Sequence, residues 1–281
     1  MELIYFVMEK LLPFSWVEFN FMKNALLSVL LISPLFGLIG TMIVNNKMSF
    51  FSDAMGHCAL TGISLGIMLG IDNYIVSVLG FAFIFALGIS SVMESGISSS
   101  DTIIGVFSSV GVALGILILS IKGGFAKYSG YLIGDILSIS KNEIFLLAVT
   151  SLITFIIWIV CFNKLMLASL HTEMAKSKQI NVRFYKSIFT VLIAFIVTMS
   201  IKWVGMLIIN SLLVLPAASA KNIAKNVRNY HIISVVFSLF SAISGLIISF
   251  YCGTSAGATI VLISAIIFFI TFFINKALNM N

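Results

Sequence analysis

The chain has 281 residues, 60% of them hydrophobic and 9% charged, with a formal net charge of +6. A soluble domain carries about 25% charged residues, so a water-soluble globule is excluded. Its apolar runs are continuous rather than alternating, which also excludes a membrane β-barrel. The chain therefore reads as all-α, a polytopic helical membrane protein with about eight or nine transmembrane helices. Its basic residues sit mostly in short loops, the ordinary positive-inside signature, and imply no nucleic acid.

Residues 1–20 are amphipathic and aromatic, with Trp16 and several phenylalanines. Glu2, Glu9 and Glu18 stand where a signal peptide would be basic, so the segment is expected to lie along the membrane interface. Apolar runs of near-spanning length then predict helices over 24–44, 54–71, 74–92, 102–121, 143–163, 187–201, 203–219, 232–251 and 257–275. Lys202 and Trp203 leave almost no loop between the sixth and seventh. Pro34 and Pro216 fall inside spans and are expected to kink them. Gly62, Gly66 and Gly70 recur at a spacing that lets helices approach closely. Cys58, Cys161 and Cys252 form no CxxC pair and read as small buried thiols.

Two loops are strongly basic, 164–186 and 220–231. Both are assigned to the cytoplasm, which with nine spans puts the N-terminus outside and Lys47 inside, whereas eight would reverse the first half. The stretch 122–142 is too rich in glycine to span. It reads either as a re-entrant segment covered by protein or as a surface loop. Loop 170–183 is polar and helix-capable, and it admits two readings, a docking helix or a solvated connector.

Acids and histidines near the membrane are few: Asp53, Asp72, Asp101, Asp135, Glu94, Glu143, His57, His171 and His231. His171 and His231 fall in the basic loops, and Asp101 is expected to cap the span that it begins. Asp135 has either a structural or a lining role. Only His57 combines an apolar span with an acid one turn away, Asp53. Four-residue spacing puts the two side chains on one helix face. A carboxylate oxygen beside an imidazole nitrogen suits Zn²⁺ or Mn²⁺, and equally a proton relay. An ionisable residue inside a membrane costs roughly 2.5–3.5 kcal/mol by insertion scales, so such a pair needs a function to hold it there. A capped helix start is the structural alternative. No GxxxxGK[ST], GxSxG, HExxH or CxxC motif is present, so the chain holds no ATPase site of its own and no recognisable catalytic one.

Six ordered segments carry a resemblance to a family: Met48-Ser-Phe-Phe-Ser-Asp53-Ala-Met-Gly-His57-Cys-Ala-Leu60; Asp101-Thr-Ile-Ile-Gly105-Val-Phe107 with Ala113-Leu-Gly115; Tyr131-Leu-Ile-Gly134-Asp135-Ile-Leu137; Glu173-Met-Ala175; Val204-Gly205-Met-Leu207 through Leu215-Pro216-Ala217-Ala218-Ser-Ala220; and Gly257-Ala-Thr-Ile260-Val261-Leu262. Over about 21–273 the chain resembles the membrane permease subunit of bacterial zinc/manganese ABC importers. The resemblance implies a type II ABC importer-like permease, one transmembrane domain over 1–281, in the bacterial cell membrane. It implies pairing with a second copy, cytoplasmic ATP-binding subunits, and an extracytoplasmic solute-binding protein that delivers Mn²⁺ or Zn²⁺, with Fe²⁺ a further candidate. No permanently bound cofactor is expected. The family's metal pair falls on Asp53 and His57, and its coupling segment to the ATPase on Glu173 and Ala175. Gly56 and Thr61 replace a usual serine and proline. Gln179 replaces a glycine, and Gly253 and Ser255 replace an Asp and a Pro before the last span. Two other readings use the same residues, a proton-coupled secondary metal transporter and an ABC permease for iron chelates or cobalamin.

Overall fold

The computed structural model describes residues 5, 8–10, 14–71, 73–122, 135–170 and 172–279. Among these, ten α-helices follow in chain order: α1 (Asn20–Asn45), α2 (Phe51–Leu69), α3 (Tyr74–Glu94), α4 (Ser100–Lys122), α5 (Lys141–Leu170), the short α6 (Thr172–Ser177), α7 (Val182–Val204), α8 (Met206–Ile223), α9 (Val227–Cys252) and α10 (Ala256–Asn279). The described residues contain no strand. Each of the nine predicted spans is a long helix, and eight of them are long and apolar enough to cross a membrane. The exception is α2, which carries Asp53, His57, serines and glycines, and which its neighbours bury over most of its length. Asp72, His171 and the glycine-rich residues 123–134, where a re-entrant segment or surface loop was expected, lie outside the described residues.

The contacts divide the chain into two compact units. One comprises residues 1–41, 135–151 and 203–281, the other 42–134 and 152–202. In the first unit, α8, α9 and α10 pack on one another, and α9 also packs on α1. A Cβ on Gly37 would lie 2.9 Å from the Val235 Cα, so only glycine permits the approach of α1 to α9. Serines stitch the same seam, with Ser234 Oγ donating to the Gly37 carbonyl at 2.6 Å and Ser238 Oγ to the Ser33 carbonyl at 2.8 Å. Lipid supplies no hydrophobic force between helices, so small residues and interhelical hydrogen bonds hold them together. Ahead of α1, Trp16 and Val17 are buried in a 3₁₀ turn over Ser15–Glu18. The buried Lys23 is neutralised by Glu9 at 2.6 Å.

In the second unit α2 packs between α3 and α4. Gly62 faces the Val78 backbone and Gly66 faces Ser77, as the glycine spacing predicts, whereas Gly70 is the left-handed residue that ends the helix. On the other side Gly111 and Gly115 of α4 meet Cys58 and Thr61. Thr61 and Ser64 donate to the carbonyls of those two glycines.

Several expectations shift. Helices α7 and α9 begin five residues earlier than their apolar runs, because their first turns carry Arg183 and Lys186, and Arg228. The break between α7 and α8 is a single residue, Gly205, at φ 88°, a backbone that favours glycine. His231 is a buried residue of α9 rather than a loop residue. Cys58 is buried as expected, but Cys252 is exposed at the end of α9.

In the second unit Asn46, Met48, Glu94, Ser100, Lys176 and Arg183 line one cavity of ≈ 400 Å³. The end of α3 and the starts of α2, α4 and α7 therefore meet beside α6. This end carries Lys176, Lys178, Arg183 and Lys186, and the positive-inside rule assigns it to the cytoplasm. In the first unit, Thr41 Oγ1 lies 2.7 Å from His231 Nδ1, which sets the end of α1 beside the basic 220–231 loop.

Candidate metal pair and coupling segment

Asp53 lies in the first turn of α2, and His57 is one turn further on. Their facing atoms, Asp53 Oδ2 and His57 Nε2, are 3.4 Å apart. Their neighbours Ser52, Ala54, Met55, Gly56 and Cys58 are all buried. The two polar side chains are not. His57 is 28% exposed and Asp53 39%. Helical periodicity thus places both half-exposed side chains on one stripe of this part of α2.

The spacing suits a shared cation. Two donors bound at about 2.1 Å with a tetrahedral angle stand about 3.4 Å apart, the separation observed. The described residues hold no group of three or more His, Cys, Asp or Glu side chains that could ligate a metal. Two ligands leave a coordination sphere incomplete, so further donors would come from facing helices, backbone carbonyls, water or another chain.

Four other described acids, Asp101, Asp135, Glu143 and Glu94, have structural roles. Ser99 Oγ accepts from the Thr102 amide at the start of α4, so Ser99 is the cap, and the exposed Asp101 complements the helix dipole from the first turn. Asp135 Oδ1 accepts from the Leu137 amide and caps a 3₁₀ turn over Ile136–Ser138. Glu143 and Ser140 form a capping box at α5, with the Ser140 amide donating to Glu143 Oε2 at 3.0 Å. The Ser-x-x-Glu spacing that signals it is visible in the sequence. Glu94 bridges Arg183 at 3.5 Å.

Glu173 and Ala175 lie on α6. Glu173 is exposed and pairs with Lys176 at 2.9 Å, whereas Ala175 is fully buried. The Ile180 amide closes on the Ala175 carbonyl at 3.0 Å, with Gln179 in the left-handed region at φ 57°. The family's glycine is thus explained by the backbone, which this chain adopts with a glutamine. The polar cavity that joins α6 to the start of α2 has no linear signal, since its lining comes from seven segments.

Fold and site together define a polytopic helical membrane permease. The chain belongs to the ABC 3 transport family, which it matches over residues 18–275. It is 29% identical over 257 residues to the manganese import system permease protein ScaB of Streptococcus gordonii, covering 92% of each chain. It is 30% identical over 256 residues to the high-affinity zinc uptake system membrane protein ZnuB of Haemophilus influenzae, covering 91% of this chain and 98% of that one. Among solved structures it is similar to a chain of PsaBC from Streptococcus pneumoniae in complex with Fab. The TM-score there is 0.77 at 26% identity, over 97% of this chain and 95% of that one. The resemblance read from the six segments is thereby borne out. The protein is a multi-pass component of the bacterial inner membrane, a transporter permease that is not itself catalytic.

Proposed function

We propose that the chain is the permease of an ATP-driven importer for a divalent transition metal ion, Mn²⁺ or Zn²⁺, and that residues 1–281 act as one permease domain in a pair of identical copies. The observation that carries this reading is the half-exposed Asp53–His57 pair, one turn apart on a helix whose neighbouring residues 52, 54–56 and 58 are buried. The relatives named for manganese and for zinc support the same class of cargo.

In this mechanism a solute-binding protein releases the ion on the outer side. Asp53 and His57 of each copy take it up through mixed oxygen and nitrogen ligation, replacing part of its water shell. A sparse site favours transit, because an ion held by few protein ligands leaves readily. ATP-binding subunits dock at α6, where Glu173 is presented and Ala175 is anchored. Movement of α6 reaches the start of α2 through the shared polar cavity, three residues before Phe51 at Met48. Irving–Williams ordering makes Zn²⁺ the stronger binder to most such sites, so discrimination rests on geometry and delivery.

The test is uptake of radiolabelled manganese or zinc by proteoliposomes holding the assembled importer. His57→Ala should reduce uptake to the level of vesicles without permease, while the ATP-binding subunits still co-purify. Wild-type uptake by that variant would refute the site. Uptake that survives omission of the ATP-binding subunits but collapses with the proton gradient would refute the ATP-driven mechanism.

A further inference from the structure

Helix α2 is held between two backbones just beyond the Asp53–His57 pair. On the α3 side a Cβ on Gly62 would lie 2.8 Å from the Val78 Cα. On the α4 side a Cβ on Gly115 would lie 3.0 Å from Thr61 Oγ1 and 3.1 Å from the Thr61 nitrogen. A Cβ on Gly111 would lie 3.7 Å from the Cys58 nitrogen and Cα, and Cys58 directly follows His57. Helices in such contact have no layer of side chains between them to absorb a rotation.

Thr61 is the polar tie of this seam nearest the pair. It lies four residues beyond His57, as His57 lies four beyond Asp53, so the three share one stripe of α2. Asp53 and His57 are half-exposed, whereas Thr61 is fully buried. Its hydroxyl donates to the Gly111 carbonyl of α4. Ser64, further along α2, donates to the Gly115 carbonyl at 3.2 Å and also to the Leu60 carbonyl of its own helix at 2.7 Å. A hydroxyl has one proton, so Ser64 divides its bond and Thr61 gives its own to α4. The spacing of Asp53 and His57 is set by their helix and survives a roll of α2, but the direction in which they point does not. A roll of about 20° carries a tip 5–6 Å from the helix axis through about 2 Å, the length of a metal–ligand bond.

We propose that Thr61 is a positioning residue for the metal pair. Its bond to Gly111 fixes the rotation of α2 and so aims the Asp53 carboxylate and the His57 imidazole at the ion. The inference rests on the proposed metal site, whose two ligands Thr61 orients without touching the cation.

The test is Mn²⁺ binding to the full chain in lipid nanodiscs, read by the electron paramagnetic resonance of the free ion, together with uptake by the assembled importer. Thr61→Val keeps the side-chain shape and removes the proton. It should weaken Mn²⁺ binding about tenfold and raise the KM of uptake far more than it lowers kcat. Thr61→Ser keeps the proton and should restore both. Thr61→Ala deletes the same bond and carries the test where the valine variant does not fold. Ser64→Ala removes a bond of the same seam further from the pair. It should lower the melting temperature as Thr61→Val does, yet leave Mn²⁺ affinity at the wild-type value. Wild-type affinity in folded Thr61→Val or Thr61→Ala, or equal weakening by Ser64→Ala, overturns the proposal and leaves the metal site standing. Mn²⁺ binding that His57→Ala does not weaken removes the metal site itself, and this inference with it.

Discussion

Two described histidines, His57 and His231, each sit within the first two turns of a long helix and are treated in opposite ways. His231 is 8% exposed, its Nδ1 is held by Thr41 and its ring stacks near Tyr230. His57 lies in a more deeply buried helix, yet its ring is half-exposed with Asp53 as its neighbour. The contrast separates a histidine that ties two helices from one left half-exposed beside a carboxylate of its own helix. Being apolar in context distinguishes neither. What distinguishes them is the partner, a neutral hydroxyl on another helix for His231 and a carboxylate on the same exposed face for His57.

The sharpest way to break this comparison is to exchange the roles. His57→Ala should abolish metal uptake, as set out above, whereas His231→Ala should leave uptake per folded molecule intact, measured in the same proteoliposomes. Equal losses in both would erase the distinction. The next largest effect is on folding. Gly37→Leu drives a side chain into the Val235 backbone beside His231 and should cost at least about 3 kcal/mol of stability, read as poor recovery of monodisperse protein. Gly80→Ala, with nothing within 4 Å of the added Cβ, should be neutral or stabilising by up to about 1 kcal/mol. His231→Ala itself should cost about 1–3 kcal/mol, because the Thr41 hydroxyl loses a buried partner, seen as a lowered melting temperature. Comparable in size is Gln179→Gly, which relieves a left-handed non-glycine residue after α6 and should stabilise by about 1 kcal/mol.

The architecture was legible because apolar runs of spanning length leave few alternatives in lipid. Asp53 and His57 were legible because their spacing and their cost in a membrane both stand out. Other features were hidden for physical reasons. The charge of loop 220–231 masked the fact that His231 already belongs to a helix, since a first turn can be basic and helical together. Asp101 reads as a cap because an acid and a serine two places apart offer the same signal at a helix start, and the backbone alone selects Ser99. Cys252 looked buried because its run is apolar, but an apolar run facing lipid is exposed in the protein itself. The cavity between α6 and α2 depends on side chains brought from distant segments, which no local pattern encodes.

The account rests on a cation touching the His57 imidazole. Pulsed electron paramagnetic resonance of Mn²⁺ bound to the assembled importer reads this directly, because a ligating imidazole imprints nitrogen couplings on the manganese spectrum. The account predicts those couplings in wild type and their loss in His57→Gln, with His231→Gln unchanged. Nitrogen couplings that persist in His57→Gln, or that are missing from wild type, would contradict it.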